Sequence, residues 1–238
     1  MRRLRTAYAL AMVLVALAGC GGGSGSSTPD TIDPVIADRV NADATVLQAS
    51  DLPGVFSSNS SSSSTDSSSS AHGAQAQTTD ACIQHATGAD PNAPDPRTAT
   101  AERTFTTGSG LSALEVGGTV EVYHDEAALK GQVAVFAQPG VDNCLKRAFI
   151  DDLTARGARV TDLTITPSKV EGVGDEQAGI IVTGPVTLDN VDLSIGVEYD
   201  FTRVGRYALT VSIFSLNGPP DHNLAIAAMK AMAGRVPV

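Results

Sequence analysis

The sequence predicts an α+β domain: an antiparallel sheet of about six strands packed with about three helices and held by one disulfide. Three observations carry that expectation. Ile195, Val197, Tyr199 and Phe201 alternate at the two-residue period of a strand, and Tyr207, Leu209, Val211 and Ile213 repeat it just downstream. Cys144, Leu145, Ala148, Phe149 and Leu153 fall instead at the spacing of one helix face. Of three cysteines in the chain, Cys82 and Cys144 remain to pair if Cys20 is used otherwise.

The first nineteen residues read as a secretion signal. Arg2, Arg3 and Arg5 form a positive start, and Ala7 to Ala18 (AYALAMVLVALA) carry no charge. A membrane-spanning helix needs about 20 apolar residues, and this run stops well short of that. The junction Leu17-Ala18-Gly19-Cys20 resembles the bacterial lipobox. That resemblance implies diacylglycerol on the Cys20 thiol, cleavage just before it and long acyl chains such as palmitate in the membrane. The alternative is an ordinary signal peptide with an incidental cysteine. Each buried CH₂ contributes about 0.8 kcal/mol, so two or three acyl chains make a durable anchor where one binds marginally.

Residues 20–30 (CGGGSGSSTPD) are too small and polar to bury a core and read as a flexible tether. Residues 31–56 contain Ile32, Val35, Ile36, Val40, Val46, Leu47, Leu52 and Val55, and are expected to form a short helix and an extended piece packing on the domain. Ser57 to Gln77 (SSNSSSSSTDSSSSAHGAQAQ) reads as a disordered linker.

The folded text, residues 78–238, opens with Thr78 or Thr79 capping a short helix that carries Cys82. Strands are expected at Thr98–Thr107 and Ser112–Tyr123, with a bulge or bend at Gly117-Gly118. Asp125 is placed to cap a helix with Ala128, Leu129, Val133, Val135 and Phe136 on one side, ended by Pro139-Gly140. A second helix covers about Val141 to Arg156 and turns Cys144 inward. Strands follow at Arg159–Thr166, Gly179–Thr187, Val191–Thr202 and Tyr207–Leu216, each with one face buried. Asp189-Asn190 and Thr202-Arg203-Val204-Gly205 make the turns, and Pro219-Pro220 start a last helix with Leu224, Ala225, Ala228, Met229 and Met232 inward.

Composition excludes some functions. Without the signal the chain keeps 13 basic against 26 acidic residues, which argues against nucleic acid and against an electrostatic grip on anionic lipid. There is no Trp, and Phe and Tyr together number ten, so the core must be aliphatic. In an oxidising compartment Cys82 and Cys144 are expected to form a disulfide, which on the chain-entropy model stabilises the domain by roughly 4 kcal/mol. Two free buried thiols are the alternative.

No catalytic motif stands out. The G-x-S-x-G elbow, the phosphate-binding glycine loop, H-E-x-x-H and paired C-x-x-C are all missing from the sequence. Gly172-Val173-Gly174 lacks a third glycine and reads as a turn. His72, His85, His124 and His222 have no ligand spacing and read as surface residues, so neither a metal set nor a cofactor is expected. Asp151-Asp152 and Asp175-Glu176 could serve acid/base chemistry or hold Ca²⁺, against the plainer reading of solvated carboxylates. Arg203 and Arg206 flank a turn, where they could grip an anion or stay in solvent.

A helix with Cys82, a strand pair, a helix with Cys144, Gly172-Val173-Gly174-Asp175-Glu176, two long strands joined by Arg203-Val204-Gly205-Arg206 and an Ala-rich last helix follow one another over residues 76–238. That order is similar to a family of actinobacterial extracytoplasmic domains, the sensor domains of mycobacterial membrane kinases and related small lipoproteins. The resemblance implies helices against an antiparallel sheet and ligand sensing or partner binding without catalysis. Kinase sensors of this type usually carry two disulfides, whereas only one can form here, and no functional residue carries over.

The leading expectation is a non-catalytic, lipid-anchored binding or sensing domain on the extracytoplasmic face of the cell membrane, meeting a small ligand, a lipid or an envelope protein. A carrier of lipid or another apolar molecule is the second, and a hydrolase with a dispersed site the third.

Overall fold

The computed structural model describes residues 33–64, 95–130, 133, 140–155 and 157–237. The expected signal peptide, the expected tether with Cys20, the helix expected around Cys82 and the rest of the serine tract lie outside them. Residues 32–238 belong to one compact unit. Among the described residues no helix is long and apolar enough to cross a membrane.

The architecture is α+β: an antiparallel sheet of eight strands with about four helices, two strands more than expected. The strands are β1 (Ser57–Ser64), β2 (Arg97–Thr107), β3 (Leu114–Tyr123), β4 (Arg159–Val160), β5 (Thr164–Ser168), β6 (Glu176–Leu188), β7 (Val191–Val204) and β8 (Tyr207–Ser215). The sheet runs β1-β2-β3-β8-β7-β6-β4, with β5 also on β6. The helices are α1 (Pro34–Thr45), α2 (Glu126–Leu129), α3 (Val141–Ala155) and α4 (His222–Ala233).

Both additional strands have physical causes. Ser57–Ser64, expected as disordered linker, pairs with β2 from Ser57↔Thr106 to Ser64↔Thr100. Serine offers the core nothing, but an edge strand is held by backbone hydrogen bonds, and the free edge of β2 supplies them. The single strand expected at Arg159–Thr166 is split into β4 and β5. Gly184 and Pro185 of β6 fall opposite the break, between the pairs Val160↔Val186 and Thr164↔Thr183. Proline has no N–H to give to the ladder, and Leu163 turns inward to 1% exposure at that point.

Three local expectations are also corrected. Gly117-Gly118 makes no bulge: the pairing runs through it unbroken, and a Cβ at 118 would lie 2.4 Å from Leu47 Cβ, so the glycine lets the segment after α1 press onto β3. The β7–β8 turn is Gly205-Arg206, since Val204 pairs with Tyr207, which leaves Arg203 inside the strand. The last helix starts at His222 with Asp221 as its cap, its side chain accepting from the Asn223 and Leu224 N–H groups, while Pro220 is close against Gly196 of β7.

Both faces of the sheet are covered. On one, α1 and α4 close over Val116, Val120, Leu209, Val211 and Ile213, joined by Val170 and Val173 from the loop before β6. On the other, Val141, Leu145, Phe149 and Leu153 of α3 pack on Ile180, Val182, Ile195 and Val197. Near the far end α2, capped by Asp125 as the sequence predicts, sets Leu129 against Tyr123 and Ala208.

Two arginines rivet the periphery. The Arg235 guanidinium donates to both Asp51 carboxylate oxygens at 2.7 and 2.8 Å, tying the C-terminus to the turn after α1. Arg206 spans both oxygens of Asp38 in α1, and Thr98 Oγ1 donates to Asp38 Oδ2 at 2.6 Å. Asp38 is 4% exposed, and although burial works against its charge, those hydrogen bonds hold its carboxyl below the usual range. Arg206→Ala strands that carboxylate, and should lower unfolding stability by roughly 2 kcal/mol in urea denaturation at neutral pH. A change near zero would show that the pair holds nothing together.

Candidate functional site: an acid pair sealed beneath helix α4

β7 lies between β6 and β8, so its two sets of side chains meet different layers. Leu193, Ile195 and Val197 point toward α3. Glu198, Asp200 and Thr202 point the other way, opposite Ile213, Val211 and Leu209 of β8, into the layer that α4 covers. All three are 0% exposed. Two carboxylates thus occupy positions where an aliphatic core would otherwise continue.

Missing side chains make the room for them. Asp200 pairs with Gly179 of β6, where a Cβ would lie 2.3 Å from Asp200 Oδ1. At Gly196 a Cβ would lie 2.3 Å from the Gly218 carbonyl oxygen and 2.8 Å from Pro220 Cδ, so the loop entering α4 rests directly on the strand. The Gly218 N–H donates to the Ser194 carbonyl at 3.2 Å and fixes that loop. His222, the first residue of α4, consequently arrives over Glu198, with Nδ1 2.5 Å from Oε1. From the end of β5, Ser168 Oγ lies 3.0 Å from both Glu198 Oε1 and Asp200 Oδ1. Glu198 Oε2 and Asp200 Oδ2 are buried without a hydrogen-bond partner.

The electrostatics follow from burial beside a like charge. The Asp200 carboxyl is pushed up to about 7, first by desolvation and then by the hydrogen bond to and the charge of Glu198; the Ser168 hydroxyl and His222 pull the other way. His222 is raised, chiefly by its hydrogen bond to Glu198, with partial burial opposing and the charges of Glu198, Asp200 and Asp221 assisting. Near neutrality the cluster therefore holds protons where isolated carboxylates would not. Ser168 addresses the carboxylates and not the imidazole, so the group is not arranged as a serine nucleophile on a histidine base. Both acids are fully buried, so neither carboxylate faces solvent. Proton storage and cation binding remain within its chemistry.

The residues singled out by sequence are placed differently. Arg203, expected in solvent, is 5% exposed; its Nη1 is 2.9 Å from Glu126 Oε1 and 3.2 Å from Asp175 Oδ2, and its Nε donates to Glu176 Oε1 at 2.9 Å. Asp175-Glu176 is therefore a clamp on an arginine. Asp151 is exposed on α3. Arg206 and His124 line an open cleft of about 420 Å³ at the start of α1, together with Pro34, Val35, Asp38 and Thr98. Cys144 sits partly buried beside the α3 core and is a bonded cysteine, while Cys82, Cys20, His72 and His85 lie outside the described residues, which hold no complete disulfide.

The buried acids escaped the sequence reading for a definite reason. The alternation of Ile195, Val197, Tyr199 and Phe201 implies that the intervening residues face water, whereas α4 covers them. A Glu-x-Asp just after Gly196 on one strand, with Gly179 on the strand before it, was the available signal.

No family model matches this chain, and no curated protein does. Among solved structures, the extracellular domain of PknH from Mycobacterium tuberculosis is similar at a TM-score of 0.45 and 12% identity, covering 83% of this chain and 95% of that one.

The site predicts an unusual pH dependence. Between the ordinary aspartate value of 3.8 and about 7 the unfolded chain ionises Asp200 while the folded chain keeps the proton, so stability falls as pH rises through that window. His222 acts in the same sense, its contribution being complete below the ordinary imidazole range and lost as pH passes its raised value. In chelator-containing buffer, denaturant midpoints should drop from about pH 5 to about pH 8, by an amount equivalent to at most about 3 kcal/mol from Asp200. Asp200→Asn should flatten most of that slope; a wild-type profile that rises over this range would refute the assignment.

Proposed function

We propose that this chain is a lipoprotein of the extracytoplasmic face of the cell membrane, whose folded unit binds a ligand or partner without catalysing a reaction. The observation that carries the reading is the succession of a charged start, a short apolar run, Leu17-Ala18-Gly19-Cys20 and a glycine-serine tether immediately before a compact unit that begins at Ile32. Acyl chains on Cys20 supply the membrane affinity, as the chain from Cys20 onward, with 26 acids against 13 bases, gains none from anionic lipid. Non-catalytic binding is supported by the state of the titratable cluster, in which both acids are at 0% exposure and the serine is engaged by carboxylates. A Cys82–Cys144 disulfide belongs to the same reading, since Cys144 is bonded and an oxidising compartment is where such bonds persist.

Extraction of native cells with a phase-separating detergent tests the anchor. The wild-type chain should enter the detergent phase and its N-terminal peptide should carry diacylglycerol on Cys20, whereas Cys20→Ala should be released to the aqueous phase. An unmodified Cys20 thiol in the wild-type protein would overturn the reading. In the same preparation, alkylation under denaturing conditions should label Cys82 and Cys144 only after reduction; labelling without reductant would remove the disulfide.

A further inference from the structure

We propose that Glu198, Asp200 and His222 form a site for one zinc-class divalent ion, with Ser168 holding both carboxylates in place. The proposal deepens the binding reading by naming its ligand, and rests on that reading for the compartment in which the ion is met.

One carboxylate oxygen from each acid and one imidazole nitrogen lie within 4.8 Å of one another, contributed by two different elements, β7 and α4. Glu198 Oε2 and Asp200 Oδ2, the second oxygen of each acid, are buried with no hydrogen bond from a donor group of the protein. Buried charge must be neutralised, and among the described ion pairs His222 is the cation recorded for Glu198. A divalent ion would neutralise two carboxylates outright where protons do so only by suppressing their charge. The Gly179 gap is what leaves Asp200 free to sit beside Ser168, and the Gly196 contact is what delivers His222, so the geometry is set by the frame and not by the three residues alone.

The donor set selects the ion. Two carboxylates and an imidazole in a dry interior suit the low coordination number and mixed oxygen and nitrogen ligation of Zn²⁺. Ca²⁺ asks for about six to eight oxygens and Mg²⁺ keeps most of its water, neither of which suits two acids that are themselves at 0% exposure. The His222 side chain is 41% exposed and gives the ion its way in from the start of α4. Its Nδ1 must be free of a proton to bind, so loading releases protons from the imidazole and from the acid pair to solvent.

The full chain, solubilised in detergent and stripped with a chelator, should be titrated with Zn²⁺ against a competing chromophoric chelator at about pH 7.5, with elemental analysis of the product. One Zn²⁺ per chain is expected, with micromolar or tighter affinity, undisturbed by millimolar Ca²⁺ or Mg²⁺. Asp200→Asn and His222→Ala should each weaken it by roughly 100-fold or more; should Asp200→Asn fail to fold, His222→Ala, which removes a half-exposed side chain, decides. Substoichiometric zinc in the wild type, equal binding in a folded variant, or displacement by Ca²⁺ would each overturn the proposal. Acylation of Cys20 is measured separately, so loss of the zinc site and loss of the anchored reading are told apart.

Discussion

β7 passes through the interior of the sheet with α3 against one face and α4 against the other, and a strand so enclosed has no solvent in which to leave a charge. Glu198 and Asp200 sit on it all the same, at full burial and without a lysine or arginine recorded against them among the described residues. An isolated buried carboxylate is prohibitively expensive, so the pair must be protonated, matched to His222 or bound to a cation. Much of the surrounding structure can be understood as serving that need. The Ser168 hydroxyl bridges the acids, the bare Cα of Gly179 admits Asp200, and the loop lying on Gly196 aims the first residue of α4 at Glu198.

Around this centre the ordinary devices of an α+β domain operate. α1 and α4 close one apolar layer over β2, β3 and β8, and α3 closes the other over β6 and β7. Arginine pairs then hold the margins: Arg206 to Asp38 of α1, Arg235 to Asp51, and Arg203 to Glu126 at the start of α2 and to Asp175 and Glu176 at the start of β6. These pairs are made between segments far apart in sequence, so they fix how the layers close without specifying any one element. The polar interior under α4 is different in kind, because a fully satisfied hydrophobic alternative was open to the same positions.

Much of the fold was legible in the sequence, and the parts that were not share a cause. Alternation located β7 and β8, and the face of α3 built from Leu145, Phe149 and Leu153 could be read directly, as could the Asp125 cap. Pattern cannot reveal a strand made only of backbone pairing, which is why the serines of β1 read as linker. Nor can it see a second covered face: the even residues of β7 alternate as solvent-facing positions do, yet α4 lies over them. Arg203 was misjudged through a shift of two residues in the turn, which moved it from a loop into a strand. The candidate site required all of this at once, since Ser168, Asp200 and His222 come from β5, β7 and α4 and meet only when the loops close.

The central claim is that the acid pair keeps a proton at neutral pH when no cation is bound. Carboxyl ¹³C chemical shifts of aspartate-labelled, chelator-treated protein, followed through a pH titration, report this directly. The account predicts one aspartate signal, lost in Asp200→Asn, that titrates near 7, far above the other aspartates. If every aspartate signal is complete in its titration below about pH 5, the pair is ionised in the folded state and the account is contradicted.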